Sequence, residues 1–369
     1  MRMGLKKLIC IALFILLLAC SGKVTKEESP ESLFELGLNY LNGRNDSLGI
    51  YMNKEKGIAL IRRSAEQGYV KAQYVLGFSY YFGEGVLQDY TQAVYWWRKA
   101  AEQGHAAAQY YLGRAYCKGD GVSQDYTQAV YWWRKAAEQG YSDAQFYLGN
   151  AYYFGEGVSA DKVQGGYWYR KAAEQGYAAA QNSLGIYYYD GIGVSQDYIQ
   201  AVYWWRKAAE QGNADAQYNL GSAYYFGEGV SADGTQAVYW WRKAAEQGYA
   251  AAQNGLGTCY YDGIGVSQDY TQTVYWYRKA AEQGNVKAQF NLGVCYNKGD
   301  GIPMNKPQAV YWWSKAAEQG DADAQYNLGR AYWLGDGVSE DKPQAVYWWS
   351  KAAEQGNADA IELLKVYHE

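Results

Sequence analysis

The chain predicts an all-α solenoid of stacked helix pairs, and three observations predict it. A five-residue motif, A-A-E-Q-G, ends at Gly104, Gly140, Gly176, Gly212, Gly248, Gly284, Gly320 and Gly356, always 36 residues on. A Leu-Gly pair keeps the same step at Gly77, Gly113, Gly149, Gly185, Gly221, Gly257, Gly293 and Gly329. Between the motifs apolar residues recur at helical spacing, and only four Pro accompany 41 Tyr and 15 Trp. A fixed internal period overrides the two or three domains that 369 residues would otherwise suggest.

The N-terminus has a different grammar. Arg2, Lys6 and Lys7 precede a wholly apolar run from Leu8 to Leu18, then Ala19 and Cys20. Eleven helical residues reach about 17 Å against about 30 Å of bilayer hydrocarbon, which suits a secretory signal rather than a span. Leu17 to Cys20 resembles a bacterial lipobox, although Leu18 is bulky for its place. The resemblance implies a signal peptide over 1–19, cleavage before Cys20 and acylation of that cysteine. Two or more acyl chains anchor stably where one does not. An ordinary signal peptide with an incidental cysteine is the alternative. Residues 20–30, through SGKVTKEESP, suit a flexible tether. Ser21 after the lipid cysteine, by resemblance to sorting in double-membrane bacteria, favours the outer membrane.

The repeating body is expected over 31–369. Leu36-Gly37 stands 40 residues before Gly77, so the first unit carries a four-residue insertion. In the third unit Ala106 to Lys118 sets Ala108, Leu112, Ala115 and Tyr116 on one helix face. Gly119 to Gly121 breaks the helix, and Asp125 is placed to cap the next. Tyr126 to Gln139 gathers Ala129, Trp133, Ala136 and Ala137 on one stripe, with Tyr131, Arg134, Lys135 and Glu138 opposite. A mid-helix Gly costs about 1 kcal/mol against Ala. Its recurrence in every unit implies that a neighbouring helix comes close there. No single pair buries these rings alone, so stability comes from stacking.

The pattern A-x-x-W-[WY]-x-K-A-A-E-Q-G-x-x-x-A-Q-x-x-L-G-x-x-Y-x-x-G-x-G-V is similar to Sel1-like repeats, relatives of the tetratricopeptide repeats. The likeness runs from Glu31 to Tyr367. It implies a right-handed superhelix of antiparallel helix pairs, nine repeats and a C-terminal capping helix, serving as an adaptor surface for proteins. The first unit departs from it, lacking the Gly-x-Gly-Val loop and the Trp, as a terminal cap does.

Variation among the units separates frame from surface. The positions of Leu112, Gly113 and Tyr116 hardly change; those of Tyr110, Arg114, Cys117 and Lys118 do. The slot of residue 117 is mostly aromatic. By resemblance to tetratricopeptide arrays, the first helices line the concave side, which makes Tyr81, Tyr110, Arg114, Tyr153, Tyr189, Tyr225, Tyr261, Arg330 and Trp333 the candidate partner-binding residues. Unconstrained solvent positions are the alternative. A second row, Tyr95, Tyr131, Tyr167, Tyr203, Tyr239, Tyr275, Tyr311 and Tyr347, is assigned to packing between second helices over a glycan-stacking ladder. Residues 150–221 and 222–293 match as a 72-residue block, a recent duplication with a repetitive surface.

Catalysis is not expected. His105 and His368 are the only histidines, too far apart in sequence to suggest a triad or a metal cluster. Ser159 with Lys162, and Ser339 with Lys342, match S-x-x-K, but neither S-D-N nor K-T-G accompanies them. The Gly-Asp-Gly loops lack spaced calcium ligands. No cofactor or metal is implied. Net charge is −4, and −7 (31 basic, 38 acidic) without the first three basic residues, so no basic stripe serves nucleic acid. Beyond Cys10 and Cys20, Cys117, Cys259 and Cys295 make no disulfide framework, and a Cys259–Cys295 bridge stays open. The expectation is an envelope-anchored scaffold for protein partners. Glycan or peptidoglycan binding is the alternative, and a penicillin-binding or β-lactamase-like activity the least favoured.

Overall fold

The computed structural model describes residues 29–43 and 52–368, with side chains through Lys365. The expected lipid site at Cys20, the expected tether up to Glu28, and residues 44–51 of the first repeat lie outside the described residues. Among the described residues nineteen helices and no strand occur, an all-α solenoid as expected. They fall into two compact units that divide after Asp161. The first holds α1 (Pro30–Asn42), α2 (Lys54–Glu66), α3 (Val70–Phe82), α4 (Tyr90–Glu102), α5 (Ala106–Lys118), α6 (Tyr126–Glu138) and α7 (Ser142–Phe154). The second begins with α8 (Lys162–Glu174), α9 (Ala178–Asp190), α10 (Tyr198–Glu210), α11 (Ala214–Phe226), α12 (Gly234–Glu246) and α13 (Ala250–Asp262). It continues through α14 (Tyr270–Glu282), α15 (Val286–Lys298), α16 (Lys306–Glu318), α17 (Ala322–Leu334), α18 (Lys342–Glu354) and α19 (Ala358–His368). Odd numbers are the first helices of pairs and even numbers the second; within each unit every helix packs on the next.

Local chemistry sets the boundaries. Asp125 accepts the Gln128 amide at 3.0 Å, and Asp89, Asp197, Asp233, Asp269 and Asp341 cap their helices likewise. Each such cap is worth about 1 kcal/mol. First helices end at a left-handed glycine; Gly119 returns its N–H to Ala115 at 2.8 Å. The second glycine of each loop answers to a close approach as well. A Cβ on Gly121, at φ +70, would lie 2.3 Å from the Tyr90 carbonyl oxygen.

The mid-helix glycines have the expected cause. A Cβ on Gly113 would come within 2.6 Å of Trp133, and on Gly221 within 2.4 Å of Trp241. Against about 1 kcal/mol of helix propensity stands a buried indole. At roughly 25 cal/mol per Å² over 150–250 Å², its burial contributes up to about 4–6 kcal/mol. Trp132 is also buried, because a second helix touches neighbours on two sides. One contact between successive pairs, α8 on α9, resolves its core differently. Gly166 stands where Val130 and Val202 stand elsewhere, and Tyr187 where Ala151 and Ala223 do. The Tyr187 ring, 2 % exposed, fills the space beside Gly166; a Cβ there would sit 2.9 Å from it.

Within each unit a buried polar ladder joins successive repeats. Gln109, 4 % exposed, donates to the Ala101 carbonyl at 3.0 Å and accepts from Gln139 at 2.7 Å. Gln217 and Gln247 repeat this in the second unit. Burying such amides satisfied avoids the penalty of an orphaned group. Arg98 donates to Tyr116 at 2.8 Å, and the same step of 18 links Arg134 to Tyr152 and Arg206 to Tyr224. It stops where Ser314 and Ser350 replace the arginine. The last helix, α19, covers Trp349 and Ala352 with Ala360, Leu363 and Leu364.

Candidate interaction face of the first helices

The residues expected to meet a partner sit on the odd-numbered helices but do unequal work. Tyr110 corrects the expectation. It is 4 % exposed, with Tyr111, Tyr141 and Tyr147 at ring distances of 4.9, 5.3 and 5.6 Å, so it is core rather than surface. Tyr81, Tyr189, Tyr225 and Trp333 are half-buried because each lies against the next helix's Trp, 5.1–5.4 Å away. Two of these tyrosines, and Tyr261 in the same slot, also tie one repeat to the next repeat's loop. Tyr81 donates to Asp120 at 3.1 Å, Tyr189 to Glu228 at 2.9 Å, and Tyr261 to Asp300 at 3.3 Å. The hydrogen bond to the Glu228 carboxylate, together with burial, pushes the Tyr189 phenol up to about 12. Tyr153 is half-buried with Phe154 edge-on at 4.8 Å.

The cations of this face rest on rings. Arg114 lies 5.8 Å from both Tyr110 and Tyr111. Arg330 is exposed, 6.0 Å from Tyr326, beside a small pocket also lined by Asn297, Asn327, Lys306 and Asp336. Lys306 is engaged there, at 3.1 Å from Asp336 and 2.7 Å from Asn297.

The sequence reading passed over one slot. The position of Tyr111 holds Val75, Tyr111 and Tyr147 in the first unit, then Ser183, Asn219, Gly255, Asn291 and Asn327 in the second. Asn219 donates to Asn182 at 3.1 Å and Asn291 to Asn254 at 3.2 Å, so carboxamides from neighbouring first helices meet in pairs. The change from ring to carboxamide was visible in the repeat comparison. Its pairing required the fold.

The second-helix tyrosine row also differs from expectation. Tyr95, Tyr131, Tyr203 and Tyr311 are 46–49 % exposed, so packing covers only half of each ring. Trp96 stands edge-on to Tyr95 at 5.0 Å, and the Lys99 ammonium lies 5.0 Å from its centroid. Cys259 and Cys295 are buried and unbridged, with burial pushing both thiols up to about 12. Lys342, of the Ser339 motif, pairs with Glu340 at 3.6 Å and lies over Trp333. Among the described residues no cluster of three metal-ligating side chains occurs, and no helix is long and apolar enough to cross a membrane.

The Sel1 repeat model matches residues 30–69, 70–105, 106–141, 142–177, 178–213, 214–249, 250–285, 286–321 and 322–357. The chain belongs to the Sel1 repeat family. Among solved structures it is similar to c5321, a protective antigen of uropathogenic Escherichia coli displaying an SLR fold. Identity is 39 %, over 91 % of this chain and 79 % of that one, with a TM-score of 0.77. A Sel1 repeat protein from Oxalobacter formigenes is 35 % identical over 92 % and 94 % of the two chains, with a TM-score of 0.64. No curated protein matches the sequence. Sel1 repeat proteins generally mediate protein–protein interaction.

Proposed function

We propose that this Sel1 repeat chain is an envelope-anchored scaffold that holds a protein partner on the face of its first helices. One observation carries the reading. The frame of Leu, Gly, Trp, Ala and Gln is consumed in packing, while the slots of residues 111 and 114 change chemistry from repeat to repeat, with Asn219, Asn291 and the exposed Arg330 among their occupants. Polar groups presented on a constant packed frame are available to a partner without cost to the fold. Leu17 to Cys20 supports the anchor, and the likeness to a protein described as a protective antigen supports an envelope location.

The glycan reading has less support. A sugar stacks on an aromatic face, and along the second-helix row Lys99, Lys135 and Lys207 already lie over one face of Tyr95, Tyr131 and Tyr203. The test is capture from detergent-solubilised envelope by the purified chain. A protein captured by the wild type is expected to be lost from the Asn219→Ala/Arg330→Ala variant, with circular dichroism unchanged. Recovery of polysaccharide alone would sink the scaffold reading. Cys20→Ala is expected to move the chain from the membrane to the soluble fraction.

A further inference from the structure

In the second unit α13, α14 and α15 line an open cavity of about 390 Å³. Thr258, Tyr261 and Asp262 line it from α13, Tyr277 from α14, and Phe290 and Asn291 from α15. Its origin is a substitution in the frame. Tyr277 stands where Trp97, Trp133, Trp205, Trp241, Trp313 and Trp349 stand in other repeats; Tyr169 shares the substitution, but there the Tyr187 ring packs against it at 5.4 Å. A phenol is smaller than an indole, and this one is held to one side by Thr258, 3.1 Å from its hydroxyl.

The rim carries two kinds of recognition. The bond from Asn291 to Asn254 leaves the Asn254 amide hydrogens and the Asn291 oxygen: a donor and an acceptor side by side. That is the complement of the C=O and N–H of an extended peptide. The charges around the cavity are unbalanced. Asp262 is exposed at the edge, and Asp300 and Lys298 both bond the Tyr261 hydroxyl, so two carboxylates face one ammonium. Lys298 already lies 5.8 Å from the Tyr261 ring, which leaves Tyr277 and Phe290 for an apolar stem and the exposed Asp262 for a cationic head. The volume falls in the range of small-ligand pockets, about 300–1,000 Å³.

We propose that this cavity takes an Arg or Lys side chain from an extended segment of the partner, whose main-chain amide groups are paired by Asn254 and Asn291. The proposal rests on the protein-interaction reading and names the chemistry of the partner. The probe is a fluorescent nine-residue peptide, Ser-Gly-Ser-Gly-Arg-Gly-Ser-Gly-Ser, titrated into the purified full chain at low salt and followed by anisotropy. Replacing Arg by neutral citrulline is expected to weaken binding at least tenfold, and free arginine amide to bind at least tenfold more weakly than the peptide. Thr258→Ile with Tyr277→Trp installs the pair already present at 186 and 205, and is expected to abolish binding. Should that variant misfold, Asp262→Asn, at an exposed site, carries the test and is expected to remove the preference for Arg over citrulline.

No binding of the probe would overturn the assignment. So would equal affinity for citrulline, for free arginine amide, or in the well-folded double variant. An envelope partner still captured by both variants would also overturn the cavity assignment while leaving the first-helix face in place. Failure of the wild type to capture any protein would overturn the face itself.

Discussion

On α3, α5 and α7 the first-helix face is made of rings that cover one another. Tyr111 alone has Phe78, Tyr110, Trp97 and Tyr74 at 4.6, 4.9, 5.5 and 6.3 Å, and Trp133 has Tyr147 at 5.3 Å. On α9, α11, α13 and α15 the same slots hold Asn182, Asn219, Asn254 and Asn291, bonded in pairs and leaving polar groups on the rim. Beneath both, the frame is alike: Leu112 and Leu220 are fully buried, and Gly113 and Gly221 both receive an indole. The difference teaches that the repeat fixes its fold with few positions and leaves the rest of the first helix free. Filled with rings, that freedom adds stability and closes the face; filled with asparagine, it leaves hydrogen-bonding groups for a ligand.

The largest effect is expected in the frame. Tyr187→Ala removes the ring that fills the space beside Gly166 and is expected to cost about 3–5 kcal/mol, read as a lower urea midpoint. Gly166→Val in that background recreates the Val–Ala pair of Val202 and Ala223, and is expected to return most of the loss. A full additive penalty in the double variant would show that the two positions are not one exchange. Next in size is Tyr111→Asn, which gives α5 the residue of α11. Losing a half-buried ring and its aromatic neighbours is expected to cost about 2 kcal/mol. A neutral result would mean that the ringed face of the first unit is not part of its core.

Much of this was legible because each signal repeats. The helix limits, the Asp125 cap and the close approach at Gly113 follow from Gly and Asp placed alike in unit after unit. Tyr110 was misplaced because variation between repeats reads as exposure. Here the variable residue is covered by Tyr141 and Tyr147, which the sequence does not bring together. Trp132 was passed over because a single-face wheel cannot represent a helix with neighbours on two sides. The glutamine ladder was passed over because a recurring polar residue carries no mark of burial; only the carbonyl of Ala101 opposite Gln109 shows it. The cavity was hidden more deeply, since Trp to Tyr at 277 reads as conservative and its consequence depends on where Thr258 holds the ring.

A smaller effect is expected where the face is open. Asn219→Ala loses one partly exposed hydrogen bond, about 0.5–1.5 kcal/mol, and regains helix propensity of about 0.5 kcal/mol. Its urea midpoint is therefore expected to stay close to wild type. A loss as large as that of Tyr111→Asn would erase the distinction between the two faces and make the asparagine pairs structural.

The finest contrast is in acid. His105 and Asn213 occupy the same slot in the two units, and each caps a first helix: Nδ1 accepts the Ala108 amide at 3.2 Å, and Oδ1 accepts the Ala216 amide at 2.9 Å. Only the imidazole can lose its acceptor to a proton. Burial against Tyr74, with the Lys71 charge adding, holds its pKa below the usual 6.5. The unfolded chain therefore takes up this proton more readily than the folded one. The stabilisation by neutral His105 is complete above the unfolded value and is lost as pH falls from there through the folded value. Stability of the wild type relative to His105→Asn is accordingly expected to decline between pH 7.5 and pH 5, whereas Asn213→Ala is expected to lose the same amount at both. Measured by thermal melting, a constant difference between wild type and His105→Asn across that range would show that the cap at 105 does not depend on the neutral imidazole, and the two units would then differ in ring content alone.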